Sequence, residues 1–319
     1  MGSMRKWFRF TSGALLLAAL CGCGRLFVDD SMFAENSAVA ALAAEASTAA
    51  VTTYRVYYYS GVPSYSLDSA SQTLLTTNSG VSWSNESMFP YGGDQGIGWA
   101  QIGSKMFAAG GANFSNTTTY FQVYSTTNGT SWTAETGMPA QRAQGALVVH
   151  GTDLYWLGGV NSVGTTMSTI YRSTDQSASW TTCATTLPVA AKSGIAFSLG
   201  GYIWWVGGED AGYLNSVQQS GNDPCTDAWS LDNALPATVS RYGGTVFNNK
   251  IYTVGGYNGT DVGNVYEGSL SGSDLTWTTY AGVVPSPAGL AGGYPHFPGI
   301  VVTGSKMLLI GGINLSGGS

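Results

Sequence analysis

A glycine pair at the end of an apolar run recurs along this chain, and no other feature constrains the fold as much. "MFAAGG" ends at Gly110-Gly111, "LYWLGG" at Gly158-Gly159 and "IWWVGG" at Gly207-Gly208. "IYTVGG" ends at Gly255-Gly256 and "MLLIGG" at Gly311-Gly312. A degenerate copy, "VYYYSG", puts Ser60-Gly61 in the same frame. The second residues of these pairs are spaced by 50, 48, 49, 48 and 56 positions. A fixed period near fifty residues means a chain of repeated structural units.

More than the glycines repeats. Past each pair a tryptophan follows a polar turn: "NSGVSW" to Trp83, "TNGTSW" to Trp132, "DQSASW" to Trp180 and "SDLTW" to Trp277. Trp229 in "CTDAW" fits with an altered turn. A proline comes next, at Pro90, Pro139, Pro188, Pro236 and Pro285. A small-residue strand follows ("QGALVVH", "SGIAFSLG", "GGTVFNN"), then a turn, then the strand into Gly-Gly. Each unit thus has room for four short strands separated by turn signals. The composition agrees. The chain holds 45 Gly, 18 Tyr and 10 Trp against only 9% charged residues, which favours strands and turns over helices.

This pattern resembles the kelch repeat of β-propellers, over residues 51–319. The resemblance implies an all-β propeller of four-stranded blades. Six glycine frames favour six blades, with five as the alternative. The first unit lacks an innermost strand and the last stops seven residues after Gly312, so one blade is incomplete or is built from both chain ends. The glycine pairs and tryptophans are read as frame. Glycine permits close backbone approach near the axis, and the tryptophans fill the space between blades. The turn at Ser173, Asp175 and Trp180 is similar in part to the Asp-box of sialidase-like propellers, but position 177 is Ser.

The N-terminus reads as an address. Arg5, Lys6 and Arg9 precede the apolar "GALLLAAL", which is too short to span a bilayer. "LCGC" then resembles a bacterial lipobox, with Leu20, Gly22 and the acylated residue Cys23. The expected organisation is a signal peptide over 1–22, an anchor and Ala/Ser-rich tether over 23–50, and the propeller beyond. The resemblance implies an exported protein, lipid-anchored at the bacterial outer membrane or cell surface. Cys183 and Cys225 remain in the mature domain, where export permits a disulfide. Their different repeat positions leave the pairing open.

Strand direction places function. With strands a to d numbered from the axis outward, b–c loops and d–a connections share one face. The d–a segments supply Arg142, Lys192 and Arg241, with Asp94 and Gln95 nearby. The b–c loops supply Asn113, Asn161, Glu209, Asp210, Tyr213, Tyr257, Asn258, Asp261 and Asn314. A ring of three cations rimmed by amides, acids and tyrosines suits an acidic peptide or a sugar. The alternative use of the arginines is to fasten blades.

The catalytic search finds little. His150 falls at an a–b turn on the opposite face, and His296 in a d–a segment. Copper oxidases of the kelch class need two tyrosines, two histidines and a thioether-linked cysteine, and this chain has no Tyr-His pair and places its two histidines on opposite faces. Sialidases need an Arg-Ile-Pro motif that is missing here. A sialic-acid mutarotase needs few residues, and Glu209 with Arg142 or Arg241 would mimic its acid and base by analogy. No phosphate-binding loop or calcium loop occurs, so no cofactor and no metal is expected. Lys and Arg total 12 against 18 Asp and Glu, and the absence of a basic stripe excludes nucleic acid as the expected partner. The expectation is a monomeric binder of a protein or glycan, with a carbohydrate-active enzyme or a structural envelope component as alternatives.

Overall fold

The structure is a computed structural model. It describes residues 96–113, 118–129, 131–284 and 298–303. It also describes the backbone of the strands Gly24–Val28, Leu42–Ala43, Tyr54–Ser60, Thr73–Thr76, Ser84–Asn85 and Lys306–Ile310. Trp83, the lipobox and its Cys23, Asp94, Gln95, His296, Gly311, Gly312 and Asn314 lie outside the described residues.

Six antiparallel sheets follow one another along the chain, and they are the blades of a β-propeller. The second blade is Gly98–Ile102, Lys105–Ala109, Val123–Thr126 and Thr133–Glu135. The third is Ala146–His150, Asp153–Leu157, Thr169–Ser173 and Thr181–Thr186. The fourth is Ile195–Leu199, Tyr202–Val206, Val217–Gln219 and Ser230–Asp232. The fifth is Gly243–Phe247, Lys250–Val254, Val265–Ser271 and Asp274–Tyr280. The sixth shows Gly299–Thr303 paired with Lys306–Ile310. In each four-stranded blade the order in the sheet is the order in the chain.

The first blade departs from expectation. Its innermost strand is Gly24–Val28, which pairs with Tyr54–Ser60. Leu42–Ala43 also pairs with Tyr54–Ser60. The stretch read as an anchor and Ala/Ser-rich tether over 23–50 contributes strands, and "GRLFV" has the apolar content an axial strand needs. This strand joins the first sheet, while the sixth sheet keeps its own pair. Innermost strands are neighbours around the axis, with Gly299–Thr303 beside both Gly243–Phe247 and Gly24–Val28.

Burial explains the strand sequences. The two inner strands of a blade are covered on both faces by adjacent blades, so they read as continuous apolar runs rather than alternating ones. Asp153–Leu157 and Tyr202–Val206 are buried along all but their first residue. Outer strands meet water, and Thr181–Thr186 is exposed apart from Cys183 and Thr185. The core accordingly lies between blades. Phe107 packs with Leu147 and Trp156 across blades two and three. Tyr155 packs with Trp205 across three and four, and Trp204 with Ile251 across four and five. Trp156, Trp204 and Trp205 are fully buried, and truncating any one to Ala costs about 3–5 kcal/mol.

Polar links repeat the same logic. Trp180 Nε1 donates to the carbonyl of Thr136 in the preceding blade, and Trp277 Nε1 to that of Asn233. The Asp-box-like turn closes on itself: Asp175 accepts from Ser173 Oγ, Ser179 N and Ser179 Oγ. Ser177 has φ +72°, the left-handed conformation for which the motif normally carries glycine. A disulfide joins Cys183, in the outer strand of blade three, to Cys225 of blade four.

Candidate functional site

The glycine pairs organise the axial end where b–c loops and d–a connections meet. The first glycines have φ of +63°, +57°, +54° and +69°, and the second +106°, +85°, +98° and +102°. A Cβ on Gly158 would sit 2.5 Å from the carbonyl oxygen of Ala191, and one on Gly159 2.4 Å from that of Ala143. Gly207 and Gly208 are hemmed in the same way by the carbonyls of Val239 and Lys192. So the first glycine of these pairs abuts the d–a segment leading into the next blade. The second abuts the segment that entered its own. Main-chain bonds seal both contacts: Gly159 N donates to Ala191 O, and Val160 exchanges bonds with Ala143.

In three units the residue after the second glycine pairs with a d–a residue: Val160 with Ala143, Glu209 with Lys192, and Tyr257 with Ser240. One position further along, Gly96, Gln144, Ser193 and Arg241 occupy equivalent places. All four are left-handed, with φ of +68°, +57°, +54° and +56°. Gln144 N donates to Gly96 O, Ser193 N to Gln144 O, and Arg241 N to Ser193 O, at 2.8–2.9 Å. A main-chain ladder thus runs from blade to blade at the mouth. Non-glycine residues held at positive φ carry strain of about 1–3 kcal/mol each and concentrate at functional sites.

The expected ring of three equivalent cations does not form. Arg142, Lys192 and Arg241 stand at three successive positions of the repeat frame, as the pairings of Ala143, Lys192 and Ser240 require. Adjacent positions on an extended segment point different ways. Arg241 Nη2 lies 3.2 Å from both oxygens of Glu209. Glu209 is buried and also accepts from Ser193 Oγ and Ser240 Oγ at 3.3 Å. The Arg241 guanidinium stands over the ring of Tyr257, whose edge packs on Tyr213 at 5.6 Å between centroids. Lys192 is half-buried. Arg142 lies elsewhere, over Tyr171 between blades two and three, with Nη1 donating to Gln141 O. Burial lowers its pKa, as it raises that of Tyr171.

The loop asparagines are partly spent on their own turns. Asn161 Oδ1 accepts from Val163 N and Thr165 N, Asn113 Oδ1 from Thr118 N, and Asn258 Oδ1 from Thr260. Asp210 is exposed, while Asp261 pairs through its backbone with Tyr257. His150 is on the opposite face, and its Nδ1 lies 2.8 Å from Ser198 Oγ of the next blade. Among the described residues no three His, Cys, Asp or Glu side chains gather as metal ligands.

Sequence reading missed Ser193, Ser240, Gln144 and Phe121. The signal for the first three was available: setting "QRAQG", "AKSG" and "SRYGG" against the pairing frame puts Gln144, Ser193 and Arg241 in register with Gly96. Phe121 had no such signal, since it precedes a strand in only one blade.

Sheet order, inner-strand neighbours and the main-chain ladder together define the chain as a β-propeller. The solved structure of YjhT shares this fold: TM-score 0.58, 17% sequence identity, covering 71% of this chain and 73% of that one. No protein-family model matches the chain, and no curated protein matches it in sequence.

Proposed function

We propose that this protein is a lipid-anchored, cell-surface kelch-type propeller that binds a protein or glycan through its b–c/d–a face. The observation that supports it best is the mouth of blades four and five. A carboxylate and a guanidinium, Glu209 and Arg241, sit there beside two tyrosines, on a frame whose other loops differ from repeat to repeat. Tyrosines with a fixed charged pair are typical of recognition surfaces, where ring faces supply area and the charges supply orientation. The Cys183–Cys225 disulfide suits an exported protein. The test is a glycan-array and pull-down screen with the full chain and with Arg241→Met. A ligand retained by the wild type and lost at least tenfold by the variant supports the mouth as the site. A ligand held equally by both refutes it.

A second reading is a carbohydrate-active enzyme of the mutarotase kind. It is favoured by the 3.2 Å contact between Glu209 and Arg241, which fixes a carboxylate able to move a proton on a sugar hydroxyl. Anomeric exchange followed by NMR, abolished in Glu209→Gln, would establish it. Exchange at the buffer rate with the wild type would dismiss it.

A further inference from the structure

Arg142 presents a problem that the mouth does not solve. It is 5% exposed, and its Nε is buried with no hydrogen-bond partner. Arg172 has Asp153 at 2.6 Å and Arg241 has Glu209 at 3.2 Å, but Arg142 has no carboxylate among the described residues. The equivalent positions in the next two junctions are Ala191 and Val239, both fully buried. One junction of the propeller therefore replaces an apolar residue by a guanidinium that has no carboxylate partner among the described residues. Burying an unpaired charge is strongly unfavourable, and the ring of Tyr171 at 5.2 Å offsets only a part of it.

Arg142 lines an open groove of about 530 Å³ with Phe121, Met138, Pro139, Gln141 and Asn161. That volume matches a small molecule. Phe121, on the wall of the same groove, is 44% exposed.

We propose that this groove is a second ligand site, which takes a carboxylate carried on an apolar body. The carboxylate accepts from Arg142, and the body lies on Phe121 and Pro139. A charge-assisted bond between a guanidinium and a carboxylate is among the stronger polar contacts available to a protein. The site lies at the junction of blades two and three and does not depend on Glu209 or Arg241.

Benzoate is the probe, with benzamide as the uncharged control of the same shape. Both are titrated into the full, ¹⁵N-labelled chain, and the Nε–Hε signal of Arg142 is followed, assigned by its loss in Arg142→Met. Benzoate shifts that signal saturably, and benzamide binds at least tenfold more weakly. Calorimetry shows benzoate binding lost in Arg142→Met and kept in Arg241→Met. Arg142→Lys retains the charge without the fork; it folds and binds benzoate more weakly. The proposal is overturned by an unmoved Arg142 signal, by equal binding of benzamide, or by undiminished benzoate binding in either Arg142 variant. Loss of benzoate in Arg241→Met instead would move the anion to the mouth, overturning this site while leaving the mouth reading intact.

Discussion

Removing the Cys183–Cys225 link tests how the blades are held together. Both cysteines are buried, at 7% and 8% exposure, within the cluster that also contains Leu187, Trp205 and Trp229. Alanine is the replacement of choice, because serine would bury a hydroxyl there. The bridged residues are 42 positions apart. Chain-entropy accounting for a loop of that length gives about 4 kcal/mol of stabilisation. For a protein of this size that corresponds to a melting temperature lower by about 6 °C. The assay is guanidinium denaturation of the wild type and of the double alanine variant, each with and without dithiothreitol. The oxidised wild type should be the outlier, and the other three should coincide. The m-value should rise when the link is absent, since an unlinked unfolded chain exposes more surface. A wild type whose midpoint ignores dithiothreitol, with free thiols detected in the native protein, would refute the reasoning.

Four further outcomes are expected. Gly208→Ala should lower stability by at least about 2 kcal/mol in thermal melts, because its φ is +98° and its Cβ would meet Lys192 O at 2.5 Å. Arg241→Met should cost about 1–2 kcal/mol in denaturant, a discounted buried-pair figure, since the arginine side chain is 28% exposed. Glu267 accepts from Lys250, Tyr252 and Tyr280, and the Lys250 bond chiefly lowers its pKa. A lowered carboxylate stabilises the fold above its unfolded pKa of about 4.3, and that contribution is lost as pH falls through the folded value. Stability measured from pH 6 downward should therefore fall less steeply in Glu267→Gln. Cys23→Ala should release the protein from the membrane fraction of an expressing bacterium, and unchanged retention would dismiss the lipid anchor.

The frame was legible in the residues because its cause is local. Only glycine tolerates a carbonyl 2.4–2.6 Å from its missing Cβ, so the pair recurs wherever two d–a segments press on a strand end. The shared face of b–c loops and d–a connections followed from strand direction alone. The site was less legible because it depends on offsets of a single residue. Arg142, Lys192 and Arg241 look equivalent after their prolines, yet the bridge pairings separate them by one position each. That slip sends one guanidinium to Glu209 and another into an interblade groove. The partnership of Arg241 with Glu209 spans 32 residues, and no local pattern announces it. The innermost strand of the first blade was missed since the strand before Tyr54–Ser60 in its sheet lies far upstream, at Gly24–Val28.

The ladder through Gly96, Gln144, Ser193 and Arg241 has a consequence for engineering. Its bonds use only main-chain atoms, so at Gln144, Ser193 and Arg241 the ladder itself does not depend on the side chain carried, provided that residue accepts a positive φ. Asparagine and aspartate tolerate that conformation better than most residues. The rungs are therefore natural grafting points, spaced one per blade around a common opening. A library varied at Gln144, Ser193 and Arg241 together would reshape what the opening contacts while keeping the main-chain ladder, at the cost of the bonds that Ser193 and Arg241 make to Glu209.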